Sequence, residues 1–539
     1  MARTVAEAVG HTLVGLGVQQ VFGVVGSGNF HLSNAMVTAG ARFVTARHEA
    51  GATTMADAYA RTSGTVTAVT VHQGCGLTNA MTGLSEAAKS RTPMVLLAAD
   101  VTERRSNFFV DQDALATAVG AVPMRVDDPA DAVRAATEAF GTARDARRTV
   151  VLNLPLQVQA MAAPSGSGPV PTRVEVGIEN LDALAEALAA ARRPVFVAGR
   201  GARGARRELL MLADRHGALL ATSAVAKGLF HDEPWSLDVS GGFASPVAVE
   251  LLQGADLLVG WGCTLNMWTM RQGTLVGADT VVAQVDLDAD ALGRHRHVDV
   301  AVVGDVADVA SRLVGARPQR DGYRSEDLRA RIASEVRWRD VPFEDRSTVD
   351  RIDPRTLTIG LDDVLPTDRV VGVDSGNFMG YPSMFLSVPD ERGFCFTQAY
   401  QSVGLGLATA IGAGLAQPSR LAVAALGDGG ALMGASELET VVRLGLPMVV
   451  VVYDDQAYGA EVHHFGPDGD DLSLVRFPPT DFAAIGRGHG FEAVTVERAA
   501  DLGSVAAWVA GDRRRPLLVH ARITGEEPSW WLEEAFRGH

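Results

Sequence analysis

Three cysteines, Cys75, Cys263 and Cys395, scattered through 539 residues are too few and too far apart for a disulfide framework or a closed zinc site. Aromatic residues are sparse at 6%. No apolar run reaches the roughly eighteen residues that a membrane-spanning helix requires. Basic residues are in deficit, 48 Lys and Arg against 64 Asp and Glu, a net charge of −16. That balance argues against a nucleic acid or an anionic membrane as the main partner. The opening stretch MARTVAEAVGHTLVGLG has no basic segment leading into a long apolar one, so no signal peptide is expected. What the chain does have is 47% apolar and 21% charged residues, enough for several large cores. The expectation is a reduced, soluble, cytoplasmic enzyme of two to four domains.

Two stretches read as linkers: Ala162 to Thr172, rich in Pro, Gly and Ser, and Pro318 to Pro354, dense in Arg, Asp and Glu and containing an exposed helix. They set expected domains at 1–165, 175–318 and 350–539. Within each, short β-branched runs alternate with Ala- and Leu-rich helical stretches. The first domain offers strands at Val18–Val25, Arg42–Ala46, Val66–Val71, Met94–Ala98 and Thr149–Leu154; the middle one at Pro194–Ala198, Ala218–Thr222, Leu257–Trp261 and Thr280–Val285; the third at Val370–Val373, Gly393–Thr397, Leu421–Leu426, Met448–Tyr453 and Leu517–Ala521. Runs that are apolar throughout and separated by helices belong to parallel sheets covered on both faces, so all three domains read as α/β, doubly wound. A faint repeat links the outer domains. Pro93-Met94-Val95 opens a strand closing on Asp100, and Pro447-Met448-Val449 opens one closing on Asp454 and Asp455. Each is preceded by a helix that follows a Gly-rich turn, so the outer domains are expected to share one topology.

The richest chemistry lies in the third domain. A strand runs into Gly427-Asp428-Gly429-Gly430, with a helix expected from Ala431, and the N–H groups of such a turn cradle an anion. An Asp inside that cradle needs a cation between itself and phosphate. Asp455 lies 27 residues further on, at the end of the next strand, so neighbouring parallel strands deliver both carboxylates to one sheet edge. Two hard oxygen ligands beside a phosphate site suit Mg²⁺. The bland alternative, that both aspartates only shape turns, fits Asp428 alone but not the pair.

This spacing resembles the diphosphate–magnesium motif of thiamine diphosphate (ThDP) enzymes, which usually ends in two Asn where this chain has Asp454-Asp455. The resemblance implies metal ligation by Asp428, Asp455 and the backbone oxygen of Ala457. It also puts Gly427, Gly429, Gly430 and Tyr458 in the cofactor site. Arg47-His48-Glu49-Ala50-Gly51 resembles the segment with the family's catalytic glutamate, at Glu49, whose carboxyl group bonds the aminopyrimidine and promotes the imino tautomer that deprotonates thiazolium C2. Without the family, Glu49 is simply an acidic residue in a first helical turn. Gly74, Gly76 and Asn79 match the glycine-rich turn of the same domain, and Val403 matches the apolar residue that holds the cofactor bent. The resemblance covers nearly the whole chain and implies the three-domain acetolactate synthase and benzoylformate decarboxylase-like group. Active sites there lie between subunits, so a homodimer or homotetramer follows.

Membership implies a 2-oxo acid or similar carbonyl substrate, loss of CO₂, and then protonation to an aldehyde or addition to a second carbonyl. Ser27 and His72 resemble the serine and histidine pair of benzoylformate decarboxylase, His72 moving a proton and Ser27 positioning the carboxylate. The segment Asn107-Phe108-Phe109-Val110-Asp111-Gln112 lacks both the paired histidines of pyruvate decarboxylases and the Phe-Gln-Glu run of acetolactate synthases. His463 and His464, just past the metal loop, read as a solvated helix face. The expectation is an acetolactate synthase-like carboligase. The alternatives are a benzoylformate decarboxylase-like 2-oxo acid decarboxylase or aldehyde lyase, and a non-catalytic ThDP-binding protein. In the middle domain Gly199-Arg200-Gly201-Ala202-Arg203-Gly204 is a formal dinucleotide fingerprint, but the acidic residue expected about 20 positions on is absent and bound FAD is not favoured.

Overall fold

A computed structural model describes residues 3–163, 176–315 and 320–535. Most of the first expected linker, and Pro318 and Gln319 in the second, lie outside the described residues.

Each third of the chain builds one six-stranded sheet whose paired strands all run parallel. The first contains β1 (Gln20–Gly23), β2 (Arg42–Thr45), β3 (Thr67–Val71), β4 (Met94–Asp100), β5 (Val122–Arg125) and β6 (Thr149–Pro155), in the order β2-β1-β3-β4-β6-β5. The middle sheet contains β7 (Pro194–Ala198), β8 (Leu219–Thr222), β9 (Ser236–Val239), β10 (Leu257–Trp261), β11 (Val281–Asp286) and β12 (Val300–Val303), ordered β12-β11-β10-β7-β8-β9. The third contains β13 (Arg369–Val373), β14 (Phe394–Phe396), β15 (Leu421–Gly427), β16 (Met448–Asp454), β17 (Glu492–Val496) and β18 (Leu517–Arg522), ordered β14-β13-β15-β16-β18-β17. The outer sheets thus share one strand order, as the repeat implies, and the middle sheet has another.

All fourteen sequence-derived strands are present. The four that escaped the sequence, β5, β9, β12 and β17, are all edge strands. Their side chains are only partly covered, so they lack the continuous apolar run that marks a central strand.

A single apolar cluster crosses from the first domain into the third, with Met55 and Leu84 on one side and Leu407 and Ile411 on the other. Its centre is the crossing of two helices, Glu49–Ser63 and Gly406–Ala416. Gly412 makes this possible: a Cβ there would stand 2.1 Å from the Met55 carbonyl oxygen. The stretch read as a second linker is an ordered strap. Its helix Glu326–Glu335 carries Arg331, paired with Glu250, and Trp338 Nε1 donates to the Phe243 carbonyl. Among the described residues, no helix is long and apolar enough to cross a membrane.

Candidate active site

On the first domain, the strand ends of β1 and β3 bring the turn at Ser27 against His72. Ser27 Oγ lies 3.4 Å from His72 Nε2, and His72 Nδ1 lies 3.1 Å from the Gln73 carbonyl oxygen. A carbonyl only accepts, so Nδ1 carries the proton and, in the neutral ring, Nε2 accepts from the Ser27 hydroxyl. The Phe108 ring packs edge-on against His72, with centroids 5.5 Å apart. Gly74 has φ +61°, and a Cβ there would meet the Phe108 carbonyl oxygen at 2.1 Å, so both conformation and space demand glycine. Gln112 holds this turn. Its Oε1 accepts from Gly74 N at 3.0 Å, while its Nε2 donates to Ala99 O and Asn153 Oδ1. That role is not legible in the order of residues, because Gln112 and Gly74 meet only through tertiary structure.

Glu49 is the first residue of its helix, with His48 as N-cap: His48 Nδ1 accepts from Ala50 N at 3.1 Å. The Glu49 side chain is buried and its Oε2 accepts from Asn79 Nδ2 at 3.1 Å. Asn79 belongs to the helix Cys75–Lys89 that the Gly74 turn introduces, with Gly76 inside its first turn. Glu49, Gly74, Gly76 and Asn79 are thus assembled at one end of the first sheet.

In the third domain the helix begins at Asp428 rather than at Ala431, directly on the end of β15, and stops at Met433. A cap at Gly427 with extended backbone lets strand pass into helix without an intervening turn. Asp428 and Asp455 come together here. Burial, with weaker repulsion from Asp454, pushes the Asp428 carboxyl up to about 6. Burial, then the Asp428 charge, pushes Asp455 up to about 7. Ala457 N–H donates to Asp455 Oδ1 at 3.2 Å and also faces Asp428. Two desolvated carboxylates crowded around one point are the donor chemistry a divalent cation relieves. Among the described residues, no cluster of three or more His, Cys, Asp or Glu side chains forms a metal cage, so further ligands would come from backbone, phosphate and water.

The walls fit the same reading. The Tyr458 ring lies over Gly429, 2.6 Å from where its Cβ would be, and packs edge-on against Phe477. Gly430 abuts the Asp374 carboxylate and Val403. Asp374, fully buried at the end of β13, accepts from Gly404 N and from Ser375 N, and burial pushes it up to about 6. It fixes the loop carrying Val403, and sequence reasoning missed it. Val403, Leu432 and Met433 are 39%, 49% and 56% exposed, an apolar surface at the mouth of the site. His463 is half-buried rather than solvated, with Nε2 lacking a partner, and it shares the helix Gly459–Phe465 with His464.

The middle domain's Gly-rich turn has a different explanation. A Cβ on Gly199 would stand 2.3 Å from Gly262 O, and one on Gly201 would stand 2.8 Å from Gly262 Cα. Gly201 N donates to Gly262 O at 3.0 Å. The close approach those glycines permit is to the protein's own backbone, and the residues do not fit a dinucleotide pyrophosphate. Arg200 and Arg203 turn away into the first domain, donating to the carbonyls of Ser90 and Arg61.

Comparison with known proteins gives three matches to family models. They are the thiamine pyrophosphate enzyme N-terminal TPP binding domain over residues 3–124, the central domain over 181–313 and the C-terminal TPP binding domain over 374–521. A probable 2-ketoarginine decarboxylase of Pseudomonas aeruginosa is 30% identical over 90% of this chain and 88% of its own length. A sulfoacetaldehyde acetyltransferase of Castellaniella defragrans is 29% identical over 93% and 89%. Among solved structures, a thiamine diphosphate-dependent 4-hydroxybenzoylformate decarboxylase from Rhodococcus jostii superposes with a TM-score of 0.81. That likeness covers 97% of this chain and all of the other, and at 23% identity it speaks for the fold alone.

Proposed function

Because the chain belongs to the thiamine pyrophosphate enzyme family, we propose that it uses ThDP and Mg²⁺ to remove CO₂ from a 2-oxo acid and release an aldehyde. The observation that carries the reading is the meeting of Asp428 and Asp455 around one point, with glycines on the approach. In this reading Asp428, Asp455 and the Ala457 carbonyl hold the metal, the turn from Gly427 to Gly430 and Tyr458 receive the diphosphate end, and Val403 supports the bend. When bound, the cofactor supplies the electron sink that makes loss of CO₂ feasible.

The chain's own residues do the rest. Glu49, held by Asn79, presents its carboxyl group to the aminopyrimidine. Ser27 positions the substrate carboxylate. Aldehyde release needs one proton at the reacting carbon: the Ser27 hydroxyl would give it and regain one from His72 Nε2, which draws its own from water. The sequence leans toward acyloin formation; the Ser27–His72 contact favours proton delivery, hence aldehyde release.

The same residues support an assembly of subunits. Within one chain the Glu49 turn meets Glu437 of the third domain, and the apolar surface of Val403, Leu432 and Met433 stays open. A second copy closes it: a homodimer, or a homotetramer built from two, places the Glu49 end of one subunit over the Asp428 end of another.

The test is incubation with ThDP, Mg²⁺ and a panel of 2-oxo acids, following CO₂ and product masses. Aldehyde supports the proposal. An acyloin moves it to carboligation. Bound ThDP with no turnover on any donor counts for the non-catalytic alternative.

A further inference from the structure

Among the described residues, no basic side chain hydrogen-bonds the buried Glu437 carboxylate, although Arg47 feels its charge. Its Oε1 accepts from two consecutive backbone groups, Arg47 N and His48 N, at 3.0 Å each, and its Oε2 accepts from Thr440 Oγ1 at 2.6 Å. The basic groups nearby are committed elsewhere: Arg47 Nε pairs with Glu439, and Arg443 reaches Glu439 and the Thr45 carbonyl. Burying a carboxylate is costly unless hydrogen bonds satisfy it, and two of the three here come from the backbone just before Glu49. The contact is close enough to exclude a side chain, because a Cβ on Gly51 would lie 2.4 Å from Glu437 Oε1.

Both ends of this clamp matter. Glu437 opens the helix Glu437–Arg443, which follows the Asp428–Met433 helix after three residues, so it is anchored to the metal end of the third domain. Its grip falls on the strand-to-helix turn that sets the direction of Glu49. We propose that Glu437 is a positioning residue for Glu49, fixing from the third domain the backbone that aims the Glu49 carboxyl group at the aminopyrimidine. This rests on the reading of Glu49 as cofactor activator. In an assembly where Glu49 serves a neighbouring subunit's cofactor, Glu437 also joins the metal end of one site to the activating group of the next. A misplacement of about 1 Å in such a group is worth on the order of 10²-fold in rate.

The test uses the full-length protein and three variants. Glu437→Gln keeps an acceptor for both N–H groups, Glu437→Ala removes it, and Gly51→Ala pushes the carboxylate aside from the opposite face, which covers the case in which Glu437→Ala fails to fold. Amide hydrogen exchange is read on the apoprotein, and ThDP affinity and deuterium exchange at thiazolium C2 on the loaded protein. Faster exchange at Arg47 and His48 in Glu437→Ala and Gly51→Ala, with C2 exchange down by about 10²-fold, ThDP affinity nearly unchanged and Glu437→Gln close to wild type, is the expected pattern. The two substitutions combined should be less than additive, since both break one clamp. Unchanged C2 exchange in Glu437→Ala and Gly51→Ala, or a loss matched by an equal loss of ThDP affinity, overturns the proposal. Wild-type protein that binds ThDP without accelerating C2 exchange removes the Glu49 reading and the inference with it, whereas loss confined to the variants bears on Glu437 alone.

Discussion

Asp454 accepts a hydrogen bond from His520 Nε2 at 2.8 Å, both side chains being buried in the third sheet, and this bond separates the roles of two adjacent carboxylates. Asp454 is spent on His520 and on Gln456 N. Asp455, on the opposite face of the strand end, is left to share its surroundings with Asp428. The extra acid in the motif is therefore structural, and in the proposed site the second of the two would be the ligand.

Substitutions should divide along that line. Asp428→Ala abolishes Mg²⁺-dependent retention of ThDP, and Asp455→Asn, which keeps an oxygen donor, retains it. Asp454→Asn changes metal affinity little. His520→Ala leaves a buried acceptor unpaired and costs about 1–3 kcal/mol of stability. Calorimetric Mg²⁺ titration and urea unfolding check each.

The raised carboxyls fix a pH dependence. Asp428 and Asp455, at about 6 and about 7, hold protons in the folded apoprotein over a range where the unfolded chain has lost them. The folded state then binds more protons, so this pair's contribution to apoprotein stability rises as pH falls from about 8 to 5. Mg²⁺ must displace the same protons. Its apparent affinity should climb with pH through about 6 to 7 and level off above. A flat profile between about pH 5 and 8, roughly one unit beyond these values on either side, contradicts the assignment.

Arg61 is the keystone where the three domains meet. It lies against Asp57 and Glu86 and donates to the Phe396 carbonyl, while Glu86 also accepts from Ala399 N and Tyr400 N, just before Val403. Arg61→Met should destabilise by about 3–5 kcal/mol, by leaving buried carboxylates uncompensated. It should also speed amide exchange at Ala399 and Tyr400. Thermal unfolding and hydrogen exchange read the two effects.

Ser27 and His72 carry the proposed proton transfer. His72→Ala should lower aldehyde release by about 10² to 10⁴-fold while ThDP binding persists. Product analysis should show any acyloin gaining at the aldehyde's expense.

Much of this was legible in the sequence, for identifiable reasons. Central strands such as Met448–Asp454 are buried on both faces and read as unbroken apolar runs, and Asp428 and Asp455 stand where such runs end. Glu49 follows the edge strand Arg42–Thr45 and was legible through its Arg-His-Glu segment. Edge strands such as Val122–Arg125 carry no such contrast. Glu437, Gln112 and Asp374 were invisible because each acts on backbone distant in sequence, Glu437 on His48 across 389 residues, and a backbone N–H leaves no mark on residue type. The turn at Gly199 has the spacing of a nucleotide site without the acidic partner, and its physical cause is contact with Gly262.

The most direct measurement is deuterium exchange at the thiazolium C2 of ThDP bound with Mg²⁺, in wild type and in Glu49→Gln. The account predicts exchange much faster than in free cofactor for the wild type, and a fall toward the free rate in Glu49→Gln with ThDP still bound. Equal exchange in the two proteins would contradict it.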